Sequence, residues 1–208
     1  METKEIKKIK KNTNNIIQHA CLNGCCVYHV RPYPEHLLRP NLPSQSVGIR
    51  KAGSFIYDNI QKKILLVQSR GQMWGPPKGS LKEDETPFDC AIREVKEETG
   101  IDLDREKMNH YTIIKSKALF YYTEMKECQI ELQSHLNDND ANGIGWFQID
   151  CLEKLVENGI LDINQPCRIL IRRIFEKEIP YNNNSFTPIR RLFKENRTAN
   201  KNKDDDSS

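Results

Sequence analysis

The segment 79–101, GSLKEDETPFDCAIREVKEETGI, constrains this chain more than any other part of its sequence. Thr86 is a favoured N-cap residue, Pro87 suits a first helical turn, and Gly100 is the residue type that commonly follows a helix. Apolar residues recur at helical spacing and define one face: Phe88, Ala91, Ile92 and Val95. The segment therefore predicts an amphipathic helix over 86–99, entered from a glycine-containing loop.

A second face of this helix is acidic. Glu94, Glu97 and Glu98 are three and four residues apart, so their carboxylates project together and repel one another. Carboxylates on a rigid scaffold suit a hard cation such as Mg²⁺, which takes a few carboxylates together with the phosphates of a substrate. A solvated acidic face is the alternative for an arbitrary cluster of this kind. The preceding Gly79 loop and the spacing favour the metal site, and Arg93 is placed to hold Glu97.

The spacing of the whole segment resembles the Nudix box, the signature of hydrolases that split a nucleoside diphosphate linked to another group. The positions that carry the resemblance are Gly79, Glu85, Arg93, Glu94, Val95, Glu97, Glu98, Gly100 and Ile101. The resemblance implies the Nudix fold, an α/β/α sandwich with a mixed sheet and flanking helices. It also implies a pyrophosphohydrolase.

The resemblance assigns roles to individual residues. Two or three Mg²⁺ or Mn²⁺ ions are expected at the Gly79 carbonyl and at the helix glutamates, which are Glu94, Glu97 and Glu98. Lys78 is expected to stabilise phosphate charge beside the metal. Glu85 and Arg93 are expected to brace the loop against the helix.

The residues before the helix indicate which Nudix enzymes the chain resembles. Trp74-Gly-Pro-Pro-Lys-Gly79 resembles the Trp-Gly-x-Pro-Lys-Gly stretch of messenger-RNA decapping enzymes. Its Pro-Pro-Lys-Gly part is also similar to animal-type diadenosine tetraphosphate hydrolases. Packing of Trp74 beneath the loop is an equally good explanation of that residue.

A later stretch, residues 140–152, resembles the decapping family's Glu-Ile-x-x-Ile-x-Trp-Phe-x-Ile-x-x-Leu. The family's late catalytic glutamate falls on Asp140, which is one methylene shorter. Three other residues are therefore candidates for its role: Asp138, Glu127 and Glu131. A plain turn at 138–140 is the alternative.

A predicted helix over 166–178 carries positive charge. The residues that we expect to bind RNA are Arg168, Arg172, Arg173 and Lys177, because decapping enzymes have a basic helix at the corresponding place. Such patches bind phosphate backbones without reading sequence. An ordinary solvated helix face is the alternative.

The rest of the chain predicts one enzyme domain with two extensions. We expect an N-terminal extension over 1–45, a Nudix domain over 46–180, and a basic then acidic tail over 181–208. Further strands are predicted at 47–57, 63–69, 110–123 and 144–149, a helix at 150–158 capped by Asp150, and a short basic helix at Lys4 to Gln18. The absence of a long apolar run and the odd count of 7 cysteines favour a reducing, cytoplasmic setting without membrane contact.

The N-terminal cysteines raise the question of zinc. Cys21-x₃-Cys25 and Cys26-x₂-His29 have ligand-like spacing, but no second matched pair follows. Buried structural thiols are the favoured interpretation.

Three functions are consistent with the sequence. The favoured function is release of a nucleoside diphosphate from capped messenger RNA. A small-molecule Nudix activity on dinucleoside polyphosphates, inositol pyrophosphates or nucleoside triphosphates is the main alternative. A non-catalytic RNA-binding module is a remote one, because the three helix glutamates are intact.

Overall fold

The computed structural model describes residues 7–11, 16–21, 23–31, 48–68, 72–115, 117–133 and 141–179, the first of these ranges by its backbone alone. The strands are β1 Lys7–Lys11, β2 Ile17–Ala20, β3 Val27–Val30, β4 Lys51–Asp58, β5 Lys63–Gln68, β6 Met73–Gly75, β7 Lys78–Ser80, β8 His110–Ile114, β9 Ala118–Glu124, β10 Gly143–Gln148 and β11 Asp162–Ile163. The helices of the described ranges are α1 Pro87–Thr99, α2 Ile149–Glu157 and α3 Gln165–Phe175, and Arg105–Lys107 form a 3₁₀ turn.

These strands form one mixed sheet. Its main order is β1-β2-β3-β10-β5-β4-β9-β8, while β6 joins β5 to β11 and β7 pairs with β4. Within the described ranges, β4 runs parallel to β9 and β6 runs parallel to β11, and the other pairs are antiparallel. Such a sheet leaves two faces for helices to cover.

The central strand β5 shows how both faces are covered. Ile64 and Leu66 belong to one apolar core, and Leu65 and Val67 belong to the other, because successive side chains of a strand point to opposite faces. Helices α2 and α3 contribute to the first core, and α1 contributes Val95 and its neighbours to the second. The expected α/β/α sandwich is confirmed.

Both predicted ends of α1 are confirmed. Thr86 Oγ1 accepts a hydrogen bond from the Asp89 backbone nitrogen at 3.1 Å. At the other end Gly100 adopts φ 77°, and its nitrogen donates to the Lys96 carbonyl at 2.9 Å. Glycine is favoured there because a side chain disfavours the left-handed region.

The strands predicted at 47–57, 63–69 and 144–149 are found as β4, β5 and β10 with shifted ends. The helix predicted over 166–178 is α3, but it ends at Phe175, so Lys177 lies beyond it.

Residues 110–123 divide into β8 and β9, which form a hairpin. Helix α2 begins one residue earlier than expected, so Asp150 lies in its first turn and the prediction of Asp150 as cap is wrong. The cap is Gln148, whose Oε1 accepts from the Cys151 nitrogen at 3.0 Å.

The helix expected at Lys4 to Gln18 is wrong. Residues 7–11 and 17–20 form β1 and β2, which pair antiparallel. The sequence between them, Asn12-Thr13-Asn14-Asn15, consists of residues with low helix propensity that favour turns. Tertiary pairing with the sheet thus prevails over the weak helical pattern.

The proposed tail, 181–208, lies outside the described residues, as do 32–47, where the N-terminal boundary was expected. Among the residues that are described, we find no helix with the length and apolar character needed to cross a membrane.

Candidate active site

The candidate site lies where β7 passes over α1. Gly79 pairs with Ala52 of β4, which fixes the strand, and the Glu94 carboxyl lies directly beneath it. A Cβ at position 79 would stand 1.9 Å from Glu94 Cδ. A side chain at position 79 would therefore displace the Glu94 carboxylate from its present position, and glycine leaves that position open.

Glu98 ties the same loop to the helix. Its Oε2 accepts a hydrogen bond from the Lys78 backbone nitrogen at 2.9 Å, and the residue is only 7% exposed. A carboxylate has about four lone-pair sites on two oxygens, so accepting this bond leaves capacity for a cation. The loop and the acidic face of α1 are therefore one unit.

Arg93 is the hub of the site. Its guanidinium binds both oxygens of Glu85, with Nε to Oε1 at 2.7 Å and Nη2 to Oε2 at 2.8 Å. The Nη1 atom reaches Glu94 at 2.7 Å and Glu97 at 3.0 Å, and Nη2 also donates to the Ser80 carbonyl at 3.0 Å. The i, i+4 contact to Glu97 and the contact to Glu85 were both expected from the sequence.

The three glutamates differ in exposure. The side chain of Glu94 is 13% exposed and that of Glu97 is 38% exposed, while Glu98 is buried. Lys82 lies near the outermost of them, with its Nζ 3.8 Å from Glu97 Oε1. Sequence reasoning missed Lys82 because it lies in the loop, where no periodicity signals a contact.

Two pKa shifts follow from this geometry. The hydrogen bonds from Arg93 hold the pKa of Glu85 at about 2, well below its usual value, so this carboxyl stays charged. Burial raises the pKa of Glu94, and Arg93 only partly opposes that effect. A charged Glu94 is therefore costly until a further cation arrives, which fits a metal ligand.

The donor set fits a hard divalent ion. Three carboxylates lie on one helical face, and Gly79 presents a backbone against Glu94 without an intervening side chain. Oxygen donors of this kind are what Mg²⁺ and Mn²⁺ prefer. Cys90 approaches the same glycine, with Sγ 3.9 Å from the Gly79 carbonyl, and is fully buried as expected for a core residue.

Lys78 and Trp74 flank the loop. Lys78 is half-buried in β7, next to Gly79. Trp74 is 1% exposed and makes edge contacts with Tyr28 and Phe147, at centroid distances of 5.5 and 4.9 Å. Trp74 is thus a core residue that packs against β3 and β10, which favours the structural interpretation that the sequence left open.

Two of the four candidates for the late catalytic acidic residue lie among the described residues. Asp138 and Asp140 lie outside the described residues. Glu127 is held at the β4–β5 turn, with Oε2 2.5 Å from Lys63 Nζ. Glu131 lies two residues before Gln133, whose Nε2 would be 2.5 Å from a Cβ at Gly100. The same Gln133 Nε2 donates to the Glu131 carbonyl at 3.0 Å, so the backbone of Glu131 lies near the end of α1, and its side chain is exposed.

Arg168 is not on a basic surface. Its side chain is 6% exposed, its Nη1 donates to the Ile179 carbonyl at 2.7 Å, and its Nη2 pairs with Asp162. The predicted shared face of four cations is thus corrected. Arg168 lies on the side of α3 that meets the core, alongside Cys167 and Ile171.

The other three cations of this region face outward to different degrees. Arg172 and Arg173 are exposed, and their nearest partners are Glu178, at 3.4 Å, and the Thr112 hydroxyl. Lys177 is held between two carboxylates of α2, with Nζ 2.5 Å from Asp150 and 2.7 Å from Glu153.

Comparison with known proteins agrees with this geometry. The model of the NUDIX domain matches residues 49–162, which is more than half of the 208-residue chain. The chain belongs to the Nudix family, and the box residues described above lie within the matched region. As a member of this family it is a pyrophosphohydrolase of the Nudix class.

Three relatives show the range of similarity. A viral protein named as a hydrolase, 111R of Invertebrate iridescent virus 3, is 34% identical over 136 residues, which are 63% of this chain and 77% of that protein. The mRNA-decapping enzyme subunit 2 of Arabidopsis thaliana is 29% identical over 70% of this chain and 40% of its own. The m7GpppN-mRNA hydrolase of Saccharomyces cerevisiae is 45% identical over 53% of this chain and 12% of its own.

Solved structures share the fold. A bifunctional NMN adenylyltransferase/ADP ribose pyrophosphatase from Francisella tularensis, complexed with AMP and an Mn ion, superimposes with a TM-score of 0.51 at 18% identity. The match covers 65% of this chain and 43% of that one. At this identity the likeness concerns the fold alone.

Proposed function

We propose that this chain hydrolyses the pyrophosphate bond of capped RNA and releases a nucleoside diphosphate, with Mg²⁺ or Mn²⁺ as cofactor. The observation that carries the proposal is the packing of the Gly79 strand directly on Glu94, beside Glu97 and Glu98. This arrangement gives carboxylate and carbonyl oxygens on a rigid support, where a pyrophosphate and its metal ions require them.

Each residue has a proposed part. Glu94, Glu97, Glu98 and the Gly79 carbonyl would hold the ions, which would supply positive charge for the phosphate oxygens and make water a better nucleophile. Lys78 offsets phosphate charge beside the loop. Arg93 of α1 donates two hydrogen bonds to the Glu85 carboxylate of the preceding loop, at 2.7 and 2.8 Å. This bidentate pair fixes the loop against the helix.

A general base would complete the site. Asp140 is the candidate from the sequence resemblance, and Glu131 is the described candidate near the end of α1. Asp140→Asn is expected to lower kcat much more than it raises KM, the pattern of a lost transition-state interaction. If Asp140→Asn leaves kcat unchanged and Glu131→Gln lowers it, the role belongs to Glu131.

Two observations support RNA as the substrate. Two of the relatives are named as an mRNA-decapping enzyme subunit and an m7GpppN-mRNA hydrolase, although this chain spans 40% and 12% of their lengths. Arg172 and Arg173 form an adjacent exposed pair on α3, after the Nudix core. Exposed cations of this kind bind phosphate backbones.

The small-molecule alternative also has structural support. Arg168 is buried and Lys177 is bound to Asp150 and Glu153, so two of the four expected RNA contacts are engaged within the protein. A dinucleoside polyphosphate, an inositol pyrophosphate or a nucleoside triphosphate would need no basic surface on α3.

One assay distinguishes these functions. The full chain is incubated with Mn²⁺ and, in parallel, cap-labelled RNA, diadenosine tetraphosphate, an inositol pyrophosphate and nucleoside triphosphates, and the products are identified. We expect a nucleoside diphosphate from capped RNA at the highest kcat/KM. Faster turnover of a small substrate would establish the alternative, and no hydrolysis of any would favour the binding module.

The α3 surface has its own test. Replacing Arg172 and Arg173 with Gln should weaken binding of capped RNA and reduce the log–log salt slope by up to about 1.4, at ~0.7 per phosphate contact for single strands. Turnover of diadenosine tetraphosphate should be unchanged. The matched control replaces two exposed lysines elsewhere, Lys107 and Lys126, with Gln. An equal effect in both double variants would refute a specific role for α3.

A further inference from the structure

Four thiols that are scattered in the sequence meet in the fold. Cys21, Cys25 and Cys26 lie in the turn between β2 and β3, and Cys151 lies in the first turn of α2. Their Sγ atoms all lie within 4.8 Å of one another. The Sγ atoms of Cys21 and Cys25 are 3.2 Å apart, and those of Cys25 and Cys26 are 3.9 Å apart.

The topology explains the meeting. Strand β3 pairs antiparallel with β10, so Val27 at the start of β3 lies opposite Trp146 near the end of β10. Helix α2 follows β10 directly, and its first turn therefore reaches the turn that precedes β3. The Gln148 backbone nitrogen, at this junction, donates to Cys26 Sγ at 3.2 Å.

The turn itself is fixed by its backbone. The Cys21 nitrogen donates to the Cys26 carbonyl at 3.1 Å, and the Gly24 nitrogen donates to the Cys21 carbonyl at 3.0 Å. Gly24 has φ 69°, which glycine adopts without strain. Local backbone hydrogen bonds alone thus position the three sulfurs of the turn.

We propose that Cys21, Cys25, Cys26 and Cys151 together bind one structural Zn²⁺ ion. Tetrahedral coordination at Zn–S distances of about 2.3 Å places the sulfurs about 3.8 Å apart. In the cluster one pair of sulfurs is 3.2 Å apart and no pair is more than 4.8 Å apart, so shifts of roughly an ångström or less reach that value. A disulfide would instead require one pair to close to about 2.05 Å.

The surroundings suit metal-bound thiolates. The Cys26 nitrogen donates to Cys21 Sγ at 3.4 Å, and the Gln148 nitrogen donates to Cys26 Sγ. Hydrogen bonds of this kind stabilise negative charge on the sulfur atoms. Cys21 and Cys26 are buried, and Cys25 and Cys151 are half-buried. Four sulfur ligands fill the coordination sphere, which makes this a structural rather than a catalytic ion.

This ion is chemically independent of the proposed site on α1. Thiolates select Zn²⁺, whereas the carboxylates of α1 suit Mg²⁺ or Mn²⁺. Its structural effect would be to tie the β2–β3 hairpin to the start of α2. Loss of zinc should therefore loosen the hairpin before it affects the chemistry.

The test measures zinc in the purified full chain by elemental analysis. We expect about one ion per chain in the wild type. Cys25→Ser and Cys151→Ser should each lose most of it, while Cys128→Ser, which removes a half-buried thiol outside the cluster, should retain it. Cys151→Ser is the most informative variant, because this residue joins the cluster only through the fold.

A second measurement does not depend on the variants. Wild-type protein stripped of metal under reducing conditions is titrated with Co²⁺, which reports its ligands by absorption. A one-to-one end point with the charge-transfer and d–d bands of a tetrahedral tetrathiolate supports the proposal, and subsequent Zn²⁺ should displace the Co²⁺. Absence of those bands, a Cys21–Cys25 disulfide found by mass spectrometry, or iron in place of zinc would overturn it.

Discussion

Helices α1 and α3 both have charged residues at helical spacing, but their charged side chains are arranged differently. On α1 the charges stay together, because Arg93 contacts Glu85, Glu94 and Glu97 at 2.7 to 3.0 Å. On α3 the charges separate: Arg168 is buried against Asp162, while Arg172 and Arg173 are exposed.

The difference shows when helical spacing predicts a site. The α1 contacts lie within one helix and the loop before it, so local sequence fixes them. The position of Arg168 depends on β11 and on the Ile179 carbonyl, which are tertiary contacts. An acidic cluster that has an arginine partner within the same motif therefore predicts a functional site better than a basic helix that has no acidic partner in its own segment.

The largest expected effect is on α1. Glu98→Gln keeps the shape and an oxygen that can accept from the Lys78 nitrogen, but removes the charge. Hydrolysis should fall by about two to three orders of magnitude, the scale for losing a main electrostatic contribution to catalysis. Steady-state kinetics with Mn²⁺ measures this, with the exposed Glu157→Gln as control. Activity near that of the wild type would remove Glu98 from the catalytic site.

The next effect separates the arginines of α3. Arg168→Gln leaves Asp162 without its buried cation and should destabilise the fold by about 3 kcal/mol, the lower end for breaking a buried ion pair. Arg172→Gln, on a side chain that is 61% exposed, should change stability by less than about 0.5 kcal/mol. Urea unfolding of the two variants gives the comparison, and equal stabilities would contradict the burial of Arg168.

A smaller effect is expected where the loop meets α1. Gly79→Ala puts a methyl group into the space of the Glu94 carboxyl, so the strand or the side chain must shift. We expect about 1–2 kcal/mol of destabilisation and reduced activity. Thermal unfolding measures the first, and Ser80→Ala is the neighbouring control. Unchanged stability and activity would mean that the position of the Glu94 carboxylate beneath Gly79 is not required.

The smallest effect is a pH dependence within the α1 network. The pKa of Glu85 is about 2 in the folded protein against an ordinary 4.5, because Arg93 holds its charged form. The stabilisation relative to Glu85→Gln should be complete above about pH 5 and decline as pH falls toward 2. Urea unfolding of both proteins between about pH 6 and pH 3 tests this. A difference that is constant over that range would show that Arg93 does not bind the charged carboxylate.

Sequence reasoning predicted α1 well because its determinants are local. Thr86 caps the start of the helix and Gly100 its end, as expected, through hydrogen bonds with residues three and four positions away. It failed at residues 7–20, because the neighbouring strands of the sheet decide between helix and strand there. Asp150 was mistaken for a cap for a related reason: Gln148 can also cap a helix, and residue type alone does not decide between them.

The cysteine cluster also depends on tertiary contacts that sequence spacing does not predict. Three of the four clustered thiols lie within a short stretch that the sequence singles out, but the expected second ligand pair is absent. The fourth ligand candidate, Cys151, comes from the start of α2 and is brought there by the pairing of β3 with β10. No spacing rule in the sequence could identify it.

The pairing of β3 with β10 also bears on solubility. The family match begins at residue 49, but β3, at 27–30, covers the hydrogen-bonding edge of β10. A chain shortened to 46–180 would expose that edge and uncover Trp74 where Tyr28 packs on it. Unpaired edge strands recruit further copies. We therefore expect such a fragment to self-associate, which light scattering against the full chain would measure.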